Sequence, residues 1–182
     1  MRPLPAHVIS VGQLLAQGMK REEISPMAAN LYLFPTPFKG IYYVPTDDER
    51  SGWLIQKPAL ALREAVAIYL GTSDFYYSCA TAEEFHGISW HPSDELHVVN
   101  TVRSGRIDLQ ARVERNRKKK TWRARQVARI LEFYARKIIF HKVPSLQGAK
   151  AKSTIYGSFA LPSQIKKDRK RFREQSAGAP GL

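Results

Sequence analysis

Cysteine is nearly absent: Cys79 is the single one in 182 residues. One thiol cannot build an internal disulfide framework, and a reducing compartment fits that composition. Long apolar runs are also missing. Nothing approaches the roughly 20 apolar residues that a membrane-spanning helix needs. The opening stretch, MRPLPAHVISVGQLLAQGMKREE, has no apolar core of the signal-peptide kind. A cytoplasmic protein without a membrane partner is therefore expected. The sequence has no Gly-rich phosphate loop, no HExxH and no G-x-S-x-G. Cys79, His86, His91 and His97 cluster in the chain, but their spacing matches no compact zinc element, so neither metal nor cofactor is expected. Acids are scarce, at 16 against 29 basic residues. A nuclease needs clustered carboxylates for Mg²⁺. Asp94, Glu95, Asp108 and Glu114 are the candidates near the expected sheet. Along a strand Asp108 and Glu114 would stand about 20 Å apart, too far to share an ion. No catalytic residue is expected.

What the chain does have is a core and a positive charge. Hydrophobic residues make up 43%, which is enough to fold. The formal net charge is +13, and its distribution is uneven. Residues 1–50 are neutral, with five basic and five acidic side chains. Residues 114–136 carry nine basic side chains against two acids, and residues 166–174 carry six against two. Clusters of this kind suit a polyanion, with nucleic acid the natural partner. A solvated basic face that maintains solubility, or attraction to an anionic membrane surface, are the other readings of the same charge.

Taken in order, residues 8–17 predict a short helix with Ser10 as cap and Gly18 as stop. A second helical stretch starts at Lys20. Ser25 and Pro26 are expected to interrupt it and open a new turn. Residues 39–44 predict a strand, and residues 46–53 a polar linker. Pro58 opens a helix over residues 59–70, with Leu62, Val66 and Tyr69 on the inner face and Gly71 at its end.

Residues 75–102 organise the rest. Phe75, Tyr76 and Tyr77 suit a buried strand. Ser78 or Thr81 can cap the next helix, with Thr81 and Glu84 placed for a capping box, and Gly87 stands at its end. Residues 96–102 and 107–113 flank Arg103-Ser104-Gly105-Arg106 and predict a β-hairpin; Ile107, Leu109, Ala111 and Val113 alternate with polar residues. Residues 115–120 then form a basic run, and residues 121–135 a helix capped by Thr121. Residues 137–143 predict a strand, residues 145–152 a loop, and residues 153–161 a strand and turn. Residues 163–175 predict a basic helix anchored by Ile165 and Phe172, with a frayed tail over 176–182. Tyr76 or Tyr77, Phe85 and Trp122 are expected to be buried.

The stretch YYSCATAEEFHGI followed by ELHVVNT resembles the second domain of the AbiEi antitoxin family, at Tyr76, Tyr77, Ser78, Phe85, His86, Gly87 and Ile88. The order LLAQG, REEI…NLYLF, KGIYYVP is similar to that family's N-terminal winged helix-turn-helix, with Gly40 and Tyr42 on the wing. Residues 137–143 match its late Ile-x-Phe-His strand, whereas the basic helix before them has no counterpart. Pro26 inside the recognition helix and the acids Glu22 and Glu23 depart from a base-reading helix, so this unit can instead be one used for packing or dimerisation.

The resemblance implies an α/β (α+β) protein. A winged-helix-like unit over 1–50 would precede an α/β core over 54–143, built on a small mixed or antiparallel sheet with flanking helices. A basic C-terminal extension over 144–182 would follow. It further implies a DNA-binding transcriptional repressor and antitoxin that acts beside a nucleotidyltransferase-like toxin. A nucleic-acid-processing enzyme, or an RNA- or ribosome-associated protein, are the alternatives. The expected contact residues are Lys20, Arg21, Asn30 and Lys39 in the first unit, and Arg103, Arg106 and Arg112 on the hairpin. Arg115, Arg117, Lys118, Lys119 and Lys120 follow in the basic run, then Arg123, Arg125 and Arg129 on the helix. Lys166, Lys167, Lys170 and Arg171 complete the set in the last helix.

Overall fold

The computed structural model describes residues 7–134 and 137–177. Residue 135 of the expected 121–135 helix, and the expected frayed tail from residue 178 on, lie outside the described residues. The chain is mixed α/β. It forms two compact units, and each takes two separate stretches of sequence. Unit 1 is Met1–Ser73 with Asp108–Arg136; unit 2 is Asp74–Ile107 with Lys137–Leu182. The boundaries expected near residues 50 and 143 are thus corrected. Among the described residues no helix is long and apolar enough to cross a membrane.

Unit 1 opens with strand β1 (His7–Ser10), then α1 (Val11–Ala16) and α2 (Arg21–Ala29). Ser10 caps α1 through a reciprocal box with Gln13. Strands β2 (Phe34–Pro35) and β3 (Ile41–Val44) follow. The three strands form an antiparallel sheet in the order β1-β3-β2. Ile9, Leu14, Ile24, Met27 and Leu33 make the core beneath it. Pro26 does not interrupt α2 as expected: the helix runs through it. Its side chain is exposed, so the ring meets solvent and displaces no core residue, while the helix forgoes one backbone donor there.

The expected linker is also corrected. Thr46 to Glu49 is a capping box that starts α3 (Asp47–Gly52). Glu49 is 2% exposed and accepts from Tyr43 Oη at 2.7 Å, Thr46 N at 2.9 Å and Gln56 N at 2.8 Å. Burial pushes its carboxyl up, but those donors outweigh burial and hold it below its ordinary value. Helix α4 (Pro58–Leu70) begins at its proline and ends at Gly71, as the sequence indicates. Leu62, Val66 and Leu70 are its buried stripe, joined by Ala61 and Ala65, while Tyr69 is half-buried.

The chain next builds β4 (Phe75–Ser78), α5 (Cys79–Phe85), β5 (Glu95–Asn100) and β6 (Gly105–Asp108). It returns to unit 1 for α6 (Leu109–Lys118) and α7 (Trp122–Leu131), which pack on each other. It ends in unit 2 with β7 (Lys137–Lys142), β8 (Ala151–Thr154), β9 (Gly157–Ala160) and α8 (Pro162–Ala177). The six-stranded sheet of unit 2 has the order β6-β7-β5-β4-β9-β8. β5 and β7 are parallel, and so are β4 and β9; β4–β5 and β8–β9 are antiparallel.

The expected β5–β6 hairpin is therefore wrong, because β7 lies between the two strands. Of its expected second strand, residues 107–108 end β6 and residues 109–113 open α6. The Asp108 carboxylate accepts from Ala111 N at 3.2 Å and caps the helix, and Leu109 and Val113 form its buried face. Asp108 and Glu114 accordingly do not share a strand face. Residues 115–118 of the basic run continue α6, and Lys119 and Lys120 form the turn that leads into α7.

In unit 2 the core is Phe75, Tyr76, Tyr77, Val98, Val99, Ile138 and Phe140. Thr81 does not cap α5. Its hydroxyl accepts from His97 N at 2.8 Å and donates to the Glu95 carbonyl at 3.3 Å, so it ties α5 to β5. Gly157, at φ +133°, faces the Tyr77 ring, and a Cβ there would stand 2.6 Å from that ring. Phe85, expected to be buried, is 38% exposed, with one ring face stacked on Phe159 at 4.0 Å. Trp122, also expected to be buried, is 53% exposed.

Candidate nucleic-acid interface

Unit 1 gathers most of the expected contact residues. Thr121 caps α7 by accepting from Ala124 N at 3.3 Å, and Val113 and Leu131 fix how α6 and α7 face the core. Their turn projects Lys118, Lys119 and Lys120 into solvent. Lys120 sits at φ +33°, in the left-handed region, because the turn between two short-linked helices demands it.

A cleft of about 340 Å³ lies between this helix pair, the end of α2 and the β2–β3 sheet. Arg112, Asn116 and Lys119 line it from α6, at helical spacing i, i+4, i+7. Thr121 and Arg123 line it from α7, and Tyr42 from β3. A larger cavity of about 360 Å³ lies on the other side of α6–α7. There Glu114 and Glu132 accompany Arg117, so it carries no excess positive charge and does not suit an anion.

The basic residues of unit 1 divide by what they touch. Arg112 is half-buried, and its Nη1 donates to the carbonyls of Thr36 at 3.1 Å and Pro37 at 3.2 Å. Burial pulls its pKa down, and its fork serves as a strut under the cleft. Arg117 is paired with Glu132. Arg123 Nη2 reaches the Ala28 carbonyl at 3.5 Å, across the cleft mouth. Arg115, Arg125 and Arg129 are exposed on the helix surfaces, and Lys20, Arg21, Asn30 and Lys39 are exposed on the α1–α2 turn, α2, its C-cap and the β2–β3 loop. Glu23 is exposed, and its carboxylate accepts from Lys20 N at 2.7 Å and caps α2. Asn116 was not singled out in the sequence, and Tyr42 and Thr121 were named there as a wing residue and a helix cap, not as lining of a cleft. The signal for Asn116 was its place between Arg112 and Lys119 on one helix face, legible only once the segment is a helix.

Arg103, Arg106, Lys166, Lys167, Lys170 and Arg171 belong to unit 2, where all are exposed. Ile165, Asp168 and Phe172 form the buried stripe of α8, so the lysines and Arg171 line its outer side. Asp168, missed in the sequence, is 3% exposed. It accepts from Ser78 Oγ at 2.6 Å, Tyr76 Oη at 3.1 Å and Gln164 Nε2 at 2.9 Å. Arg169 pairs with Glu83 at 2.5 Å. Burial pushes the Cys79 thiol up to about 11, which keeps it protonated and unreactive. His86 Nε2 lies 2.9 Å from the Ala160 carbonyl, and His97 Nδ1 lies 2.9 Å from His141 Nε2. Among the described residues no three His, Cys, Asp or Glu side chains come together as a metal site.

The arrangement in unit 1 can therefore hold an anionic polymer by charge along α6–α7 and by a polar cleft beside it. No family model, no curated protein and no solved structure matches the chain.

Proposed function

We propose that the protein binds nucleic acid through the basic surface of unit 1 and acts by binding rather than by catalysis. The observation that carries this reading is the α6–α7 turn. There Lys118, Lys119 and Lys120 stand exposed beside a cleft lined by Asn116, Lys119, Thr121 and Arg123. Phosphates are the anions that such a spaced set of cations recognises.

Duplex DNA is the favoured form. The order β1-α1-α2-β2-β3, with β3 between its two partner strands, is the connectivity a winged helix uses. In that reading α2 is the recognition helix, offering Lys20, Arg21 and Asn30. The β2–β3 loop with Lys39 is the wing. Together with the AbiEi-like stretch around Tyr76–Ile88, this supports a cytoplasmic transcriptional repressor and antitoxin working beside a nucleotidyltransferase-like toxin.

The test is an electrophoretic shift at low salt. The probes are a promoter fragment from upstream of the protein's own gene, a random duplex of equal length and a structured RNA. The proposal expects both duplexes to shift, the promoter more tightly, and the RNA less. No shift of any probe would overturn nucleic-acid binding; a preference for the RNA would overturn the repressor reading.

A further inference from the structure

Trp122 is in an unusual position for the largest apolar side chain. It is the first residue of α7 and is 53% exposed, yet its ring is held in place. Trp53 meets it nearly perpendicularly, with ring centroids 5.1 Å apart and an angle of 84°. Trp53 in turn stacks on Phe34, which is fully buried, at 5.9 Å. The chain of contacts anchors an exposed indole in the core of unit 1. Arg125 and Arg129 lie three and seven positions further along α7, on the same helix face, and both are exposed. Lys120 precedes it in the turn.

An exposed, immobilised aromatic ring flanked by cations is the arrangement that binds unpaired bases. The cations follow the backbone, while the ring offers a face on which a base stacks. Paired bases within a duplex stack on each other and present no free face. Tyr32, 48% exposed in the same unit, is a weaker candidate because Arg50 already covers its ring at 5.3 Å.

Resting on the reading of unit 1 as a nucleic-acid surface, we infer that Trp122 is a stacking platform for an unpaired nucleotide, with Lys120, Arg125 and Arg129 holding the adjacent phosphates. The site takes single-stranded nucleic acid, or a nucleotide displaced from a duplex.

The test uses the full chain carrying Trp90→Phe. That change removes a 94%-exposed fluorophore of unit 2 that lies outside the inferred site. An oligothymidylate of about 15 nucleotides and a random duplex are titrated separately, with tryptophan fluorescence and anisotropy as readouts. The oligomer is expected to quench the fluorescence. Trp122→Ala should weaken oligomer binding about 5- to 150-fold while changing duplex affinity by less than about 2-fold. Trp122→Leu keeps an apolar contact on Trp53 but has no ring face, and should lose as much. Trp122→Phe should retain most of the affinity. Thermal melts establish that each variant is folded.

Persistence of quenching and affinity in Trp122→Leu would overturn the site. So would an equal loss on oligomer and duplex, or association of two copies of the chain that depends on Trp122. If the parent protein binds neither probe, the proposed function itself has failed. If it binds the duplex alone, only the platform has failed.

Discussion

Ser78 on β4 donates a 2.6 Å hydrogen bond to the Asp168 carboxylate on α8, joining residues 90 positions apart. Tyr76 donates to the same carboxylate, and burial together with that negative charge raises the phenol's pKa. The last helix is thereby part of unit 2 and not an appendage. Asp168→Ala would leave two buried hydroxyls without their acceptor. Unfolding in urea should show a loss of about 2–4 kcal/mol. A loss below about 0.5 kcal/mol would mean that water replaces the carboxylate and that the contact does not hold α8.

Acid should destabilise unit 2 through its histidine pair. His97 and His141 stack with rings 5.2 Å apart, and His141 also stacks on Phe172 at 3.7 Å. A neutral His97 that donates Nε2–H to Glu95 at 3.3 Å leaves its Nδ1 to accept from His141. Two protonated rings would set donor against donor. Burial pulls His141 down to about 4, with the neighbouring His97 acting in the same direction. Burial also lowers His97 and outweighs the opposing pull of Glu95. With folded values below the unfolded value of about 6.5, this stability is fully present above that pH. It is lost as the pH falls towards 4. His141→Phe keeps a ring against Phe172 and removes the proton site. The melting temperature of the variant should depend less on pH between about 6.5 and 4 than that of the parent. Parallel curves would refute this role for the pair.

Lys120 combines an exposed cation with backbone strain. At φ +33° a lysine is disfavoured by about 1 kcal/mol, and glycine is not. Lys120→Gly should leave the protein as stable as before or up to about 1 kcal/mol more stable, while duplex affinity falls. Lys119→Ala should lower affinity without the gain in stability. If Lys120→Gly destabilises by more than about 1 kcal/mol, the lysine side chain has a structural role beyond its charge.

Much of the fold was legible where local signals agreed. Pro58 and Gly71 bracket α4, Thr121 caps α7, and the aromatic run Phe75–Tyr77 is β4. Ile165 and Phe172 anchor α8. The failures come from signals that fit two periods or two roles. Ile107, Leu109, Ala111 and Val113 alternate as in a strand, yet Leu109 and Val113 are also four apart, as in a helix. Asp108 decides between them by capping. Thr46-Asp47-Asp48-Glu49 is polar enough to pass for a linker, but its first and last residues are a capping box. The basic surface was legible as charge. Its cleft was not, because Arg112, Asn116 and Lys119 share a face only on a helix. Trp122 was expected inside, on a helix face that covers the sheet. Nothing local to α7 reveals that its packing partner is Trp53, 69 positions earlier.

In the proposed function α6–α7 carries the electrostatic contact with nucleic acid. The most direct measurement is the salt dependence of duplex affinity for the parent and for a Lys118→Ala, Lys119→Ala, Lys120→Ala, Arg125→Ala variant, four exposed side chains. Every cation that no longer meets a phosphate should reduce the slope of log K against log salt by about 0.9. The account predicts that the variant's slope is flatter by up to about 3–4 and that its affinity falls alike on promoter and random duplexes. An unchanged slope in the quadruple variant, with binding abolished instead by changing Lys20, Arg21 and Asn30, would contradict it.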